Sequence, residues 1–282
     1  MSRLNAADEL PVPIRGVRLL GLILRVSALN LRARLQYRSD FILWFLQGVT
    51  YQVLGLTFVW AVLARFHVVR GWTTDQVLFM YGLRLLAHSL YLPLFWNITT
   101  IPQMVRQGNF DRVLLRPINA LVQVLLQGFS ANSMGDLLVS FTLLGIAQRA
   151  LHIRWTPATI CFLTLVVVGG ALLEAGLQLA ISALSLRFIA TGQLNNWADE
   201  VVNSFANYPV TIFGTTLQYL FTFIMPIAFL SCFPSAVFLN KTWSVPFTPA
   251  FAYGAPVAGW LVFGAAYALW SYGLRFYQGT GT

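Results

Sequence analysis

Four ionisable side chains stand inside long apolar stretches of this chain: Arg84, His88, Asp136 and Glu174. Charge at the centre of a bilayer costs about 2.5–3.5 kcal/mol on insertion scales, so such residues face a cavity or pair with one another. The chemistry open to them is ion pairing, proton transfer or contact with a polar substrate. Depth along the helices suggests partners. Arg84 falls about 12 Å and Asp136 about 17 Å below the outer ends of their spans. An Arg84–Asp136 pair locking two helices is therefore expected. Glu174 lies about 25 Å down, near the inner leaflet, where an inner-side arginine or a watery vestibule would serve it.

A second group of residues lies between two apolar stretches, from Arg106 through Gly108, Phe110, Asp111, Arg112, Leu114 and Arg116 to Pro117. It is too charged for lipid and too short for a domain. Gly108 marks a turn, and the run beyond it reads as a short helix ended by Pro117. Such a segment would offer a small apolar knob rimmed by Arg112 and Arg116 to a groove on a soluble partner. Charge alone equally allows a loop that only sets topology.

Other chemistry is missing. The single lysine, Lys241, follows Leu239-Asn240 and has no phosphate-loop glycines, so the chain carries no P-loop nucleotide site. His67, His88 and His152 stand on separate elements, and Cys161 and Cys232 make no zinc spacing or disulfide framework. No His-Glu-x-x-His or Gly-x-Ser-x-Gly motif occurs. Neither an enzyme nor a metal site is expected.

The elements that position these residues are apolar helices. Of 282 residues, 57% are hydrophobic and 10% charged, against about 25% charged in soluble domains. Lipid is the main solvent. Six spans are expected, at 41–64, 76–96, 119–148, 157–185, 211–239 and 255–276, each helical because lipid leaves the backbone no other partner. Residues 15–38 carry Arg18, Arg25 and Arg32 at seven-residue intervals, with Leu19, Leu20, Ile23 and Leu24 between them. That pattern predicts an amphipathic helix in the headgroup layer, either an anchor or an elbow toward a partner. The expectation is thus an all-α integral membrane protein: residues 1–40 form a cytoplasmic N-terminus with an interfacial helix, and residues 41–282 a six-helix domain.

Charge chooses the side. With the N-terminus cytoplasmic, twelve basic residues fall inside and five outside, the bias that sets orientation. Both termini and the 97–118 loop would then be cytoplasmic. The net charge of +9 sits at span ends, where anionic headgroups meet it, and argues for a membrane rather than nucleic acid. The start, with Asp8, Glu9, Pro11 and Pro13, does not read as a cleaved signal peptide.

Two polar stripes run along spans. Glu174, Gln178, Ser182 and Ser185 share one face of the fourth, and Thr211, Thr215, Gln218 and Thr222 one face of the fifth. Each stripe either bonds a neighbouring helix or lines a passage, the second being the reading for the fifth span. Gly169, Gly170 and Gly176 suit close helix contact. Pro226 and Pro234 interrupt the fifth span, and the stretch beyond, where Pro246, Pro249, Gly254 and Pro256 mix with Trp243, Phe247, Phe251 and Tyr253, reads as an outer cap.

The run from Gln107 to Pro117 resembles the Gly-x-[Leu/Phe]-Asp-x-x-Leu-x-x-Pro signature of ABC-2 type permeases related to viologen exporters. Arg34-Leu35-Gln36-Tyr37-Arg38-Ser39-Asp40, and Met225-Pro226-Ile227-Ala228-Phe229 followed by Phe233-Pro234, look like the same family. The resemblance implies the membrane half of an exporter in the bacterial inner membrane. Its partners would be two cytoplasmic ATPase chains, which hold the ATP and Mg, and a second permease, identical or sister. The chain itself would bind no cofactor. Residues Arg106 to Pro117 would couple it to the ATPases. An amphiphilic or lipophilic substrate would leave along the interface of the two permeases, past Thr215, Gln218 and Thr222. The competing reading is a proton-coupled carrier using Asp136 and Glu174.

Overall fold

The computed structural model describes residues 38–65, 68–116, 118–128, 132–188 and 192–277, together with Arg25, Leu29 and Gln36. The amphipathic helix expected over 15–38 therefore lies almost wholly outside the described residues. Pro117 and His67 lie outside them too.

The first span, α1 (Arg38–Arg65), ends near a two-residue hairpin, β1 (Val68–Val69) and β2 (Trp72–Thr73), paired Val68 to Thr73 and Val69 to Trp72. Its turn residues Arg70 and Gly71 both have positive φ, at 50° and 85°, as a tight two-residue hairpin turn requires. Helix α2 (Thr74–Phe95) follows directly, with Gln76 Oε1 accepting from the Thr73 N–H at 3.1 Å. It carries on through a 3-10 turn (Trp96–Thr100) into α3 (Ile101–Arg106), so Thr74–Arg106 is one run of 33 residues. At about 1.5 Å per residue that is about 50 Å, longer than a bilayer core of about 30 Å. Its last turns must therefore project beyond the apolar layer.

Two short helices, α4 (Phe110–Leu114) and α5 (Ala120–Leu125), lead to α6 (Asn132–Leu151). The expected third span at 119–148 is thus shorter and later. Asn119 starts α5 instead, its side chain accepting from the N–H groups of Leu121 and Val122, a cap that separates this turn from the span. Helix α7 (Pro157–Leu184) is capped by Thr156, whose hydroxyl accepts from the Thr159 N–H at 3.2 Å, with Pro157 as its first residue.

Beyond α7 the structure departs from expectation. Helix α8 (Gly192–Phe205) occupies the stretch between the expected fourth and fifth spans. The expected span 211–239 is not one helix. A 3-10 turn (Val210–Ile212) precedes α9 (Thr215–Tyr219), which runs into a π-helical turn (Leu220–Ile224). There the Met225 N–H bonds the Leu220 carbonyl at 2.8 Å. Pro226 has no N–H to continue the ladder, and the chain bends by 77° before Ile227–Phe238, whose second half is α10 (Cys232–Phe238). The last span is α11 (Ala250–Arg275). Among the described residues five helices are long and apolar enough to cross a bilayer, six if the bent pair is counted as one broken span.

The spans pack in a row in the order α1, α6, α2, α7, α11, with α8 laid on α7. Helix α2 sits in the middle and is buried on all sides from Val77 to Leu92 apart from Leu78 and Leu90. Small residues set the spacing. A methyl on Gly259 would stand 1.8 Å from the Gly169 carbonyl oxygen, and one on Gly176 2.9 Å from the Phe263 nitrogen. The α7 and α11 backbones therefore touch, as small-residue contacts allow in lipid. Gly170 does the same toward Ala87 of α2.

Candidate functional site

The 97–118 segment is a folded tab rather than a loop. After α3, the Gly108 N–H bonds the Val105 carbonyl at 3.1 Å, and Gly108 turns the chain at φ 71°, a conformation glycine adopts without steric penalty. Side-chain amides at and beside the ends of the tab then pin it to its surroundings. Gln123 Nε2 donates to the carbonyls of Val113 at 3.0 Å and Ile118 at 2.6 Å. Asn97 Nδ2 donates to the carbonyls of Leu125 at 3.1 Å and Gly128 at 3.0 Å. Asn119 Nδ2 donates to Tyr267 Oη of α11 at 3.1 Å.

Phe110 and Asp111 are not the exposed knob expected of them. Phe110 is fully buried between Trp270 and Tyr277, with ring centroids 5.7 and 5.3 Å away and planes near perpendicular. Half-buried Asp111 accepts from the Tyr277 hydroxyl at 2.8 Å. Burial, the hydrogen bond and the charge of Asp111 together push the Tyr277 phenol up to about 12. The tab is thereby latched to the end of the last span. Outside stand Arg106, Arg112, Leu114, Leu115 and Arg116, with Leu115 84% exposed, beside the polar Gln103, Gln107 and Asn109. Of the expected apolar knob Leu114 stays outside and Phe110 does not: Leu114 closes the five-residue helix at 43% exposure, and Leu115 follows just beyond its end.

A seam of polar residues runs through the bundle. His88 Nδ1 and Glu174 Oε2 lie 2.6 Å apart, both buried, joining α2 to α7. Glu174 is thus served by His88, and not by an inner arginine or a vestibule. Asp136 Oδ1 accepts from Gln52 Nε2 at 2.9 Å, and Gln52 Oε1 accepts from the Tyr81 hydroxyl at 2.9 Å. Arg84 donates through Nη2 to Asn203 Oδ1 on α8. The expected Arg84–Asp136 ion pair is absent among the described residues. Depth matching is not enough to choose a partner, since Arg84 bonds toward α8 and Asp136 toward α1.

Helix α8 is the element that sequence reading missed. Asn195, Asp199, Asn203 and Asn207 recur every four residues, and this face lies on the spans. Gln178 Nε2 reaches Asp199 Oδ1 at 3.3 Å, and Asn195 Nδ2 reaches Ser182 Oγ at 3.0 Å. Ser182 Oγ in turn donates to the Ile98 carbonyl at 3.0 Å. The stripe on α7 therefore glues helices together, one of its two expected roles. Because position 195 meets 182 and 199 meets 178, α8 climbs back antiparallel along α7 to the level of Arg84. The adjoining face, with Asn196, Glu200 and Ser204, is exposed.

The stripe expected on the fifth span dissolves with that helix. Thr211 belongs to the 3-10 turn, Thr215 is exposed at the start of α9, and Thr222 is buried in the π turn. Gln218 Nε2 closes its own turn on the Phe213 carbonyl at 2.8 Å. A cavity of about 310 Å³ lies instead between α1, α2 and α8, bounded by Tyr51, Tyr81, Arg84, Glu200, Asn207 and Tyr208 among others.

The family model described as ABC-2 family transporter protein matches residues 49–281. No curated protein and no solved structure matches the chain. A row of apolar helices, a tab projecting from one end and a match over most of the length agree with one another. The chain belongs to the ABC-2 transporter family, as a multi-pass membrane permease of the ABC exporter type that partners ABC ATPase subunits and is not itself the catalytic subunit.

Proposed function

We propose that this permease works in the bacterial inner membrane with both termini and the 97–118 tab cytoplasmic, in the manner of the viologen-exporter-like members of its family. Two ATPase chains carry the ATP and Mg, and a second permease, identical or sister, completes the path. The observation that carries this reading is the division of the tab. One face is clamped to α11 through Phe110, Asp111, Trp270 and Tyr277. The other presents Leu115 with Arg106, Arg112 and Arg116 around it. An anchor behind and an apolar knob ringed by cations in front suit a surface that a soluble partner grips and pushes.

The path is the second part of the proposal. In lipid, the outward face of α8 with Glu200 would leave a carboxylate uncompensated, so that face lines a watery path or meets the second permease. The amphiphilic or lipophilic substrate passes there, between α1 and α8, and not along Thr211, Thr215, Gln218 and Thr222. The carrier reading gains no separate support, because Asp136 and Glu174 are both taken up by neighbours. The test is a mild-detergent pull-down of the tagged chain followed by ATPase assay. Wild type is expected to retain an ATPase, and Leu115→Asp to lose it while remaining folded. Retention by Leu115→Asp would remove the tab from the contact.

A further inference from the structure

The cavity between α1, α2 and α8 is built to hold something polar. Arg84 is 1% exposed and Asn207 6% exposed, yet Arg84 Nε and Asn207 Oδ1 have no hydrogen-bond partner among the described residues. Neither has the hydroxyl of Tyr208, the next residue along the wall. Three buried, unpaired polar atoms belong to residues that line one cavity, more than a well-packed interior leaves without a partner. The Asn207 amide is oriented by its own bond, since its Nδ2 donates to the Asn203 carbonyl. Its oxygen is therefore left as an acceptor, whereas Arg84 Nε offers a donor.

The charges of the wall are balanced. Arg84 is the one cation and Glu200 the one carboxylate among the lining residues. Glu200 is exposed at the rim and accepts from Ser204 at 3.2 Å. The rings of Tyr51 and Tyr81 supply an apolar and polarisable wall between them. A purely cationic guest would satisfy Glu200 and leave Arg84 facing a like charge. A purely anionic guest would do the reverse. A guest with an acceptor or anionic group at one end and a cationic or donor group at the other meets both.

We propose that this cavity binds the dipolar headgroup of an amphiphile, its anionic or acceptor end at Arg84 and Tyr208 and its cationic or donor end at Glu200 and Asn207. The volume of about 310 Å³ is at the small end for ligand sites, enough for a headgroup and the first carbons of a chain. This deepens the exporter reading and rests on it, by naming the substrate class of the path between α1 and α8.

The experiment uses the full chain with its retained partners in lipid nanodiscs and three probes sharing one dodecyl tail. They are dodecylphosphocholine, dodecyltrimethylammonium and dodecyl phosphate, each titrated calorimetrically. The phosphocholine is expected to bind about tenfold tighter than either probe that carries one sign of charge, the effect of one further charged contact: a phosphate hydrogen bond at Arg84 relative to the ammonium, and a choline contact at Glu200 relative to the phosphate. Glu200→Gln should erase that advantage and weaken the ammonium probe without touching the phosphate probe. Tyr208→Phe, which removes only an unpaired hydroxyl, should weaken the phosphocholine and phosphate probes and spare the ammonium. Equal affinities insensitive to both variants would show a water-filled or merely lipid-partitioned cavity and overturn the proposal, as would tightest binding of the ammonium. The co-purifying ATPase is scored on the same sample. An ATPase present without headgroup selectivity removes the cavity proposal and leaves the exporter reading. Selectivity without an ATPase removes the exporter reading and leaves the site.

Discussion

The tab at 97–118 and the broken region from Val210 to Phe238 are both interrupted helices, but their interruptions are held differently. In the tab, side-chain amides from Asn97, Asn119 and Gln123 and the Tyr277 hydroxyl bond loop carbonyls or side chains at fixed points. In the broken region, beside the Gln218 and Ser231 bonds to the Phe213 and Ala206 carbonyls, most joints are ring contacts: Phe205, Phe213 and Phe221 form one trio, and Tyr219, Phe223, Phe247 and Phe251 a chain. The hydroxyls of Thr211 and Thr222 are buried there with no partner among the described residues. Directional bonds make a lever; non-directional ring contacts can slide. Under the proposed function, the first region would transmit force and the second would rearrange.

The comparison can be broken at its strongest joint first. Phe110→Ala empties a fully buried site beside Trp270 and should cost about 3–5 kcal/mol, read as a large fall in detergent melting temperature. Phe247→Ala, at a 42% exposed ring in the other region, should cost far less. Equal losses would end the distinction. Next comes Gln123→Leu, which keeps the shape but strands the Val113 and Ile118 carbonyls. Its expected cost is about 1–3 kcal/mol, together with reduced transport per ATP hydrolysed, measured in proteoliposomes.

Smaller effects sharpen the same contrast. Tyr277→Phe keeps the ring against Phe110 and deletes one hydrogen bond, so about 1 kcal/mol is expected. The pH dependence has a definite sign. The Tyr277 phenol is raised from 10 to about 12, so the stability it contributes is fully present below pH 10. It is lost as pH climbs from 10 toward 12. A melting curve of wild type minus Tyr277→Phe should therefore be flat to pH 10 and shrink above it. Smallest of all, Thr222→Val replaces an unpaired buried hydroxyl by a methyl and should be neutral or slightly stabilising. A marked loss there would mean that the hydroxyl has a partner in the working protein.

Hydropathy located four spans to within a few residues, as α1, α2, α7 and α11 show, because lipid-facing helices are written in long apolar runs. It could not show α8. That helix pays for its place beside the spans with hydrogen bonds from Asn195, Asp199 and Asn203, and an apolar scan passes over such a face. The signal was the four-residue repeat itself. The tab was legible as a segment but not in orientation, since which of Phe110 and Leu115 turns inward depends on the distant Trp270 and Tyr277. The ion-pair expectation failed for a related reason. Depth along a helix is written in the sequence, whereas the side to which Arg84 points is decided by α8.

The central claim is that the exposed side of the tab meets an ATPase while its buried side holds it to α11. The most direct measurement is a quantitative pull-down of wild type, Leu115→Asp and Tyr277→Phe from the same membranes. The account predicts ATPase recovered with wild type and with Tyr277→Phe, and at least about tenfold less with Leu115→Asp, the loss expected when an anchoring leucine becomes a charge. Undiminished recovery with a folded Leu115→Asp variant would contradict it.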